Sequence, residues 1–158
     1  MPRIALTEYD AEAIIRDSKR VTDNIRWIQT DQHSTWVKCE LDVENGKRLN
    51  LKLYVNLSLE VPSLFSFSLI LNNAFRLRGL DFNGSHGNKH TNDTKWQGQT
   101  HKHTWTDRCR DSHAYTPGDI TANAIEDVFR QFCAECNIEF AGDFQQPPGI
   151  QASIEDAL

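Results

Sequence analysis

The sequence predicts an α+β fold: a twisted four- or five-stranded antiparallel meander sheet with an N-terminal and a C-terminal helix. Three observations carry this expectation. Apolar residues recur at helical spacing near the N-terminus, they alternate with polar residues through the middle of the chain, and a second helical stripe follows residue 124.

Thr7 followed by Asp10 resembles a capping box, with aspartate in place of glutamate. Ala11, Ile14, Ser18, Val21, Ile25 and Ile28 then fall on one stripe, which predicts an amphipathic helix of about five turns. The period changes to two at Val37, Cys39, Leu41 and Val43. Asn45-Gly46 follows, a pair suited to the positive φ angles of a type I′ turn, and Leu49, Leu51, Leu53, Val55 and Leu57 form the return strand. Phe65, Phe67, Leu69 and Leu71 alternate in the same way, and a turn near Asn72-Asn73 leads into Phe75-Arg76-Leu77-Arg78. A polar stretch without periodicity reaches about Gln99, after which Thr100 to Thr106 reads as a fifth strand. That strand would put His101, His103 and Trp105 on one face and Lys102 and Thr104 on the other. A last helix starts at Thr116-Pro117 or Asp119, carries Ile125, Val128, Phe129, Phe132 and Cys136 on one stripe, and stops at Asn137. Residues 1–142 form one domain, and 143–158, with Pro147-Pro148-Gly149, a flexible acidic tail.

With 39% apolar and 25% charged residues over 158 positions, the composition is that of one soluble globular domain. No apolar run approaches the roughly 20 residues that span a bilayer. The start, Met1-Pro2-Arg3-Ile4-Ala5-Leu6, has neither the apolar core nor the cleavage site of a signal peptide, so the expected location is cytoplasmic, with no membrane partner. Four cysteines are too few for a disulfide framework, and Cys133 and Cys136 share a helical face, which favours burial over half a zinc site.

The net charge of −5 is unevenly spread. Between Phe75 and Arg110, seven basic residues face three acidic ones, whereas from Ser112 onward one arginine faces eight acids. Five of the six histidines (His86, His90, His101, His103 and His113) lie in or beside the basic stretch. Clustered imidazoles with cations suit proton transfer on a phosphodiester near neutral pH. In that reading His86, His101 and His103 are catalytic, and Asn88, Lys102, Trp105, Arg108 and Tyr115 bind substrate, the aromatics by stacking on exposed bases. A second reading is a metal site, with His101 and His103 joined by His86 or His90 around zinc or another divalent ion. The spacing excludes other classes: Gly84-Ser85-His86-Gly87 is no phosphate loop, no Gly-x-Ser-x-Gly elbow exists, and His33-Ser34-Thr35 has no twin.

Leu80-Asp81-Phe82-Asn83-Gly84, His86-x-Asn88, Thr100-His101-x-His103, Ala114-Tyr115 and Cys136-Asn137-Ile138 together resemble a group of small uncharacterised bacterial proteins. The resemblance covers about the C-terminal half. It implies a shared fold and a site at His86, Asn88, His101 and His103, and it brings no established activity. The chain departs from the pattern in carrying the extra His90, and Trp105 where the group more often has tyrosine. The expected function is a phosphodiesterase or endoribonuclease acting on nucleic acid, RNA above all, in a toxin or defence module with a protein inhibitor as a further partner. The alternative is a non-catalytic protein-binding module, with or without a stabilising metal, such as a mobile-element inhibitor of host defence.

Overall fold

The computed structural model describes residues 6–29, 35–60, 64–82, 101–106, 110–115 and 124–147, with the backbone alone at 101, 102 and 110–115. Among the described residues two helices, α1 (Glu8–Arg16) and α2 (Ile125–Glu135), accompany nine strands. These are β1 (Lys19–Val21), β2 (Ile28–Gln29), β3 (Trp36–Asn45), β4 (Leu51–Ser58), β5 (Phe65–Leu71), β6 (Phe75–Phe82), β7 (His101–Thr106), β8 (Arg110–Tyr115) and β9 (Ile138–Phe140). They form one sheet in the order β8-β7-β6-β5-β4-β3-β1-β9, with β2 also on β3. The α+β class holds, but the sheet is larger than expected and mixed, because β1 and β9 are parallel.

Strands β3 to β5 follow the alternation of the sequence. Val37, Cys39, Leu41 and Val43 are buried, and Trp36, Lys38, Glu40 and Asp42 are exposed. Phe67 meets Phe129 and Phe132 of α2 at centroid distances of 5.5 and 5.8 Å, which identifies the face of the sheet that the helix covers. Arg78, buried on the same face, donates to Glu12 of α1 at 2.7 Å and to Glu135 of α2 at 2.9 Å. One guanidinium thus ties both helices to β6.

The turns differ in kind from expectation. Asn72 and Asn73 both have φ of 54°, and the Ala74 amide donates to the Leu71 carbonyl at 3.1 Å, so this pair is the centre of a left-handed turn between the paired Leu71 and Phe75. The loop after Asn45 is longer. The Arg48 amide donates to the Asn45 carbonyl, Arg48 takes the positive φ of 55°, and the Asn45 carboxamide clamps both main-chain groups of Leu49. β3 runs on to Asn45 because Glu44 and Asn45 pair with β1, which leaves no room for a two-residue connection.

The expected five-turn helix is corrected. Thr7 Oγ1 accepts from the Asp10 amide at 3.1 Å as a cap should, but α1 ends at Arg16 and Asp17 is extended. Tertiary partners satisfy the carbonyls of its last turn. Lys19 Nζ donates to the carbonyls of Ile14, Ile15 and Asp17, and Asn137 Nδ2 donates to that of Arg16 at 2.7 Å. Val21 and Ile25 are buried as the stripe requires, yet they lie in β1 and in a bridge to Phe144. Spacings of four residues fit helix and strand alike, and pairing of β1 between β3 and β9 decides for the strand.

The Lys19 side chain lies in the interior, and burial pulls its ammonium down to about 8, with Cys136 and Asp17 opposing the shift. A folded value below the unfolded one means that stability from this group rises with pH from about 8 to about 10.5. The buried thiols act in the opposite direction. Burial raises Cys39, pushes Cys133 up to about 12 and drives Cys136 well above its ordinary value. Lys19→Met removes the donor shared by three carbonyls and should cost about 1–3 kcal/mol at pH 7 by urea denaturation. The stability gap between wild type and this variant should widen from pH 8 to 10.5, since the thiols contribute to both proteins.

At the C-terminal end, Ile125, Val128, Phe129, Phe132, Cys133 and Cys136 are buried, and Asn137, with φ of 55°, stops the helix as expected. The expected start at Thr116-Pro117 or Asp119 is corrected: α2 begins at Ile125, because Ala124 before it is extended and caps the helix; residues 116–123 lie outside the described residues. Packing continues past the expected tail boundary. Phe144 bridges to Ile25 and meets Phe129 at 5.5 Å, and Trp27 Nε1 donates to the Gln145 carbonyl at 2.7 Å. No helix among the described residues is long and apolar enough to cross a membrane.

Candidate functional site

Directly opposed residues of an antiparallel pair share a face. Phe67 lies opposite Leu80 and faces α2, so Ser66 opposite Asp81, and Ser68 opposite Gly79, belong to the other face of the sheet. On the far side of β6, His103 stands opposite Gly79 and position 101 opposite Asp81. His103 Nε2 and Asp81 Oδ2 are 2.7 Å apart along the diagonal of this ladder. Both residues are buried, with relative exposures of 4% and 8%. A carboxylate on one ring nitrogen fixes the orientation of the imidazole and stabilises its cation, and the other ring nitrogen of His103, Nδ1, is buried as well.

A cation lies beside the pair. A Cβ built on Gly79 would come 3.1 Å from Arg76 Cδ and 3.4 Å from its Nε and Nη1, so the Arg76 side chain crosses the face of this glycine. The placement depends on a bulge. Leu69 pairs with Arg78 and Ile70 with Arg76, leaving Leu77 as the extra residue of β6. Without it Arg76 and Arg78 would share a face. With it Arg78 turns to the helices and Arg76 turns to the side that holds His103 and Asp81. Glycine in a strand interior marks a close approach of this kind, and Gly79 is the sequence signal for the crossing of Arg76.

Of the expected site residues, His103 is therefore placed in a built arrangement, while Asp81 and Arg76 are partners that the pattern of residue types did not single out. The expected shared face of His103 and Trp105 is corrected. The register shifts between Thr104 and Thr106, and Trp105 turns to the helix side. There its ring packs on Phe75 at 5.6 Å and its Nε1 donates to the Leu6 carbonyl at 3.0 Å. With its ring on Phe75, its indole N–H on Leu6 and 5% exposure, Trp105 is a core residue. His101 and Lys102 are located in β7, and His113 and Tyr115 in β8, by backbone alone. His86, Asn88, His90 and Arg108 lie outside the described residues. Among the described residues no group of three or more His, Cys, Asp and Glu side chains is arranged to hold a metal. The expected zinc set draws on His86, His90 and the side chain of His101, which lie outside the described residues and side chains.

The model of a family of unknown function matches residues 6–138, a span that includes α1, α2, β1 to β8 and the whole Arg76, Asp81 and His103 arrangement. No curated protein and no solved structure matches the chain.

Proposed function

We propose, for a chain that belongs to DUF6978, a family of unknown function, that it is a phosphodiesterase of endoribonuclease type in which the His103 and Asp81 pair performs proton transfer. The observation that carries this reading is the buried 2.7 Å contact between them with the Arg76 guanidinium laid across the adjacent Gly79. An oriented imidazole, its carboxylate and a cation are the three groups that cleavage at a phosphate asks for.

In this reading His103 takes the proton of a ribose 2′-hydroxyl. The 2′-oxygen bonds to phosphorus, the bond from phosphorus to the 5′-oxygen breaks, and a second imidazole protonates that leaving oxygen. His101, opposite Asp81 in the ladder, is assigned the second role, with His86 as the other candidate of the cluster. Arg76 holds the charge that develops on the non-bridging oxygens. The Thr100-His101-x-His103 motif and Asp81 then form one functional unit of the family.

The test is cleavage of a mixed-sequence single-stranded RNA by the full chain, with and without chelator. Wild type should cleave in both conditions, and His103→Ala should lose roughly 10²–10⁴-fold in rate, the usual scale of a general acid or base. Cleavage abolished by chelator would replace the acid–base reading with the metal one. Absence of cleavage in both conditions would overturn the proposal.

A further inference from the structure

Asn45-Gly46 does not make the turn that its residue types predict, and the pair is left with a different property. Gly46 stays out of the left-handed region, and a Cβ built on it would meet no atom within 4 Å, so the backbone here does not require glycine. What glycine leaves is a main-chain nitrogen with no side chain beside it, directly after an asparagine. In that arrangement an asparagine reacts with its own backbone. The Gly46 nitrogen bonds to Asn45 Cγ and gives up its proton, the bond from Cγ to Nδ2 breaks, and ammonia leaves a five-membered succinimide. Water then opens the ring. Addition at Cγ gives an aspartate, and addition at the main-chain carbonyl carbon gives an isoaspartate, whose backbone runs through the side chain and is one carbon longer.

In the folded chain the Asn45 carboxamide is held away from this reaction. Nδ2 donates to the Leu49 carbonyl at 2.9 Å and to the Val43 carbonyl at 3.2 Å, and Oδ1 accepts from the Leu49 amide at 2.8 Å. The main chain is fixed as well: Asn45 ends β3, pairs with Lys19 of β1, and accepts from the Arg48 amide at 3.1 Å. Ring closure expels Nδ2 and turns Cγ onto the Gly46 nitrogen, so the side-chain bonds must open first. The products do not restore them. An aspartate sets an acceptor oxygen where Nδ2 was, against two carbonyl oxygens. An isoaspartate lengthens the backbone at the end of β3, where the register with β1 consists of Lys19 opposite Asn45 and Arg20 opposite Glu44.

We propose that Asn45 is a self-modification site gated by its own clamp: opening of the corner between β1 and β3 lets the succinimide form, and the aspartate or isoaspartate that results loosens the corner for good. Water is the sole co-reactant, and the inference does not depend on the activity assigned to His103.

The full chain is held at mildly alkaline pH in native buffer and in guanidinium chloride, and the tryptic peptide 39–47 is followed by mass spectrometry. In denaturant Asn45 should convert at about the rate of Asn83, which also precedes a glycine, and in native buffer Asn45 should be about tenfold or more slower than in denaturant. Gly46→Ala should be no less stable than wild type and should convert more slowly in denaturant. Asn45→Asp should lose about tenfold or more in the ratio of folded to unfolded protein, read by urea denaturation. Equal rates for Asn45 in the two conditions, a Gly46→Ala variant markedly less stable than wild type, or an Asn45→Asp variant as stable as wild type would overturn the inference.

Discussion

Arg78→Ala is expected to lower the free energy of unfolding by about 3–5 kcal/mol, measured by urea denaturation at neutral pH. The magnitude follows from what remains once the guanidinium is gone. Glu135 keeps a carboxylate whose side chain is 16% exposed, Glu12 keeps one that is 34% exposed, and neither helix retains this tie to β6. The cost comes from stranded charge more than from a lost attraction. Arg78→Met combined with Glu135→Leu should therefore recover most of the loss, whereas Arg20→Ala, which breaks a pair that is 54% and 70% exposed and 3.7 Å long, should cost less than about 1 kcal/mol. Equal losses for Arg78→Ala and Arg20→Ala would show that Arg78 does not clamp the helices.

Asp81→Asn gives the second large effect. If the carboxylate orients His103 and stabilises its cation, the substitution should reduce the rate of RNA cleavage by roughly 10²–10⁴-fold, and Asp81→Asn with His103→Ala should be little worse than His103→Ala alone. Members of one catalytic unit fail together. A purely structural pair makes a different prediction: each variant would lose stability by about 1–3 kcal/mol, and the rate per folded molecule would stay at the wild-type level. The two outcomes separate in a cycle of four proteins assayed for both unfolding and cleavage.

Much of the fold was legible from the order of residue types, and the places where it was not share a cause. Strands β3 to β5 announced themselves because each has seven or more residues and one face on the core, so that a period of two could accumulate. β1 and β9 have three residues each and β2 has two, too few to show any period. They exist because remote partners supply the ladder, and Val21 and Ile25 meanwhile fitted a helical stripe equally well. The site was legible to the same depth. Clustering located His103, but a face assignment propagates along a strand only until the first extra residue. The bulge at Leu77 moved Arg76 into the site, and the register shift in β7 moved Trp105 out of it. Bulges are set by packing across strands, and nothing local in the sequence of either strand declares them, apart from Gly79.

The parallel pairing of β1 with β9 has a consequence for how the molecule is made. β1 sits between β3, which follows it by some fifteen residues, and β9, which follows it by well over a hundred. On the ribosome the meander can assemble as it emerges, but one flank of β1 waits until residues 138–140 arrive, and until then a short strand edge stands bare. Lys19 and Asn137, which together cap α1, meet only at that moment. The end of the first helix is thus completed by nearly the last residues of the sheet to be synthesised. A nascent chain stalled before Asn137 should be markedly more sensitive to proteolysis at residues 14–21 than one released whole.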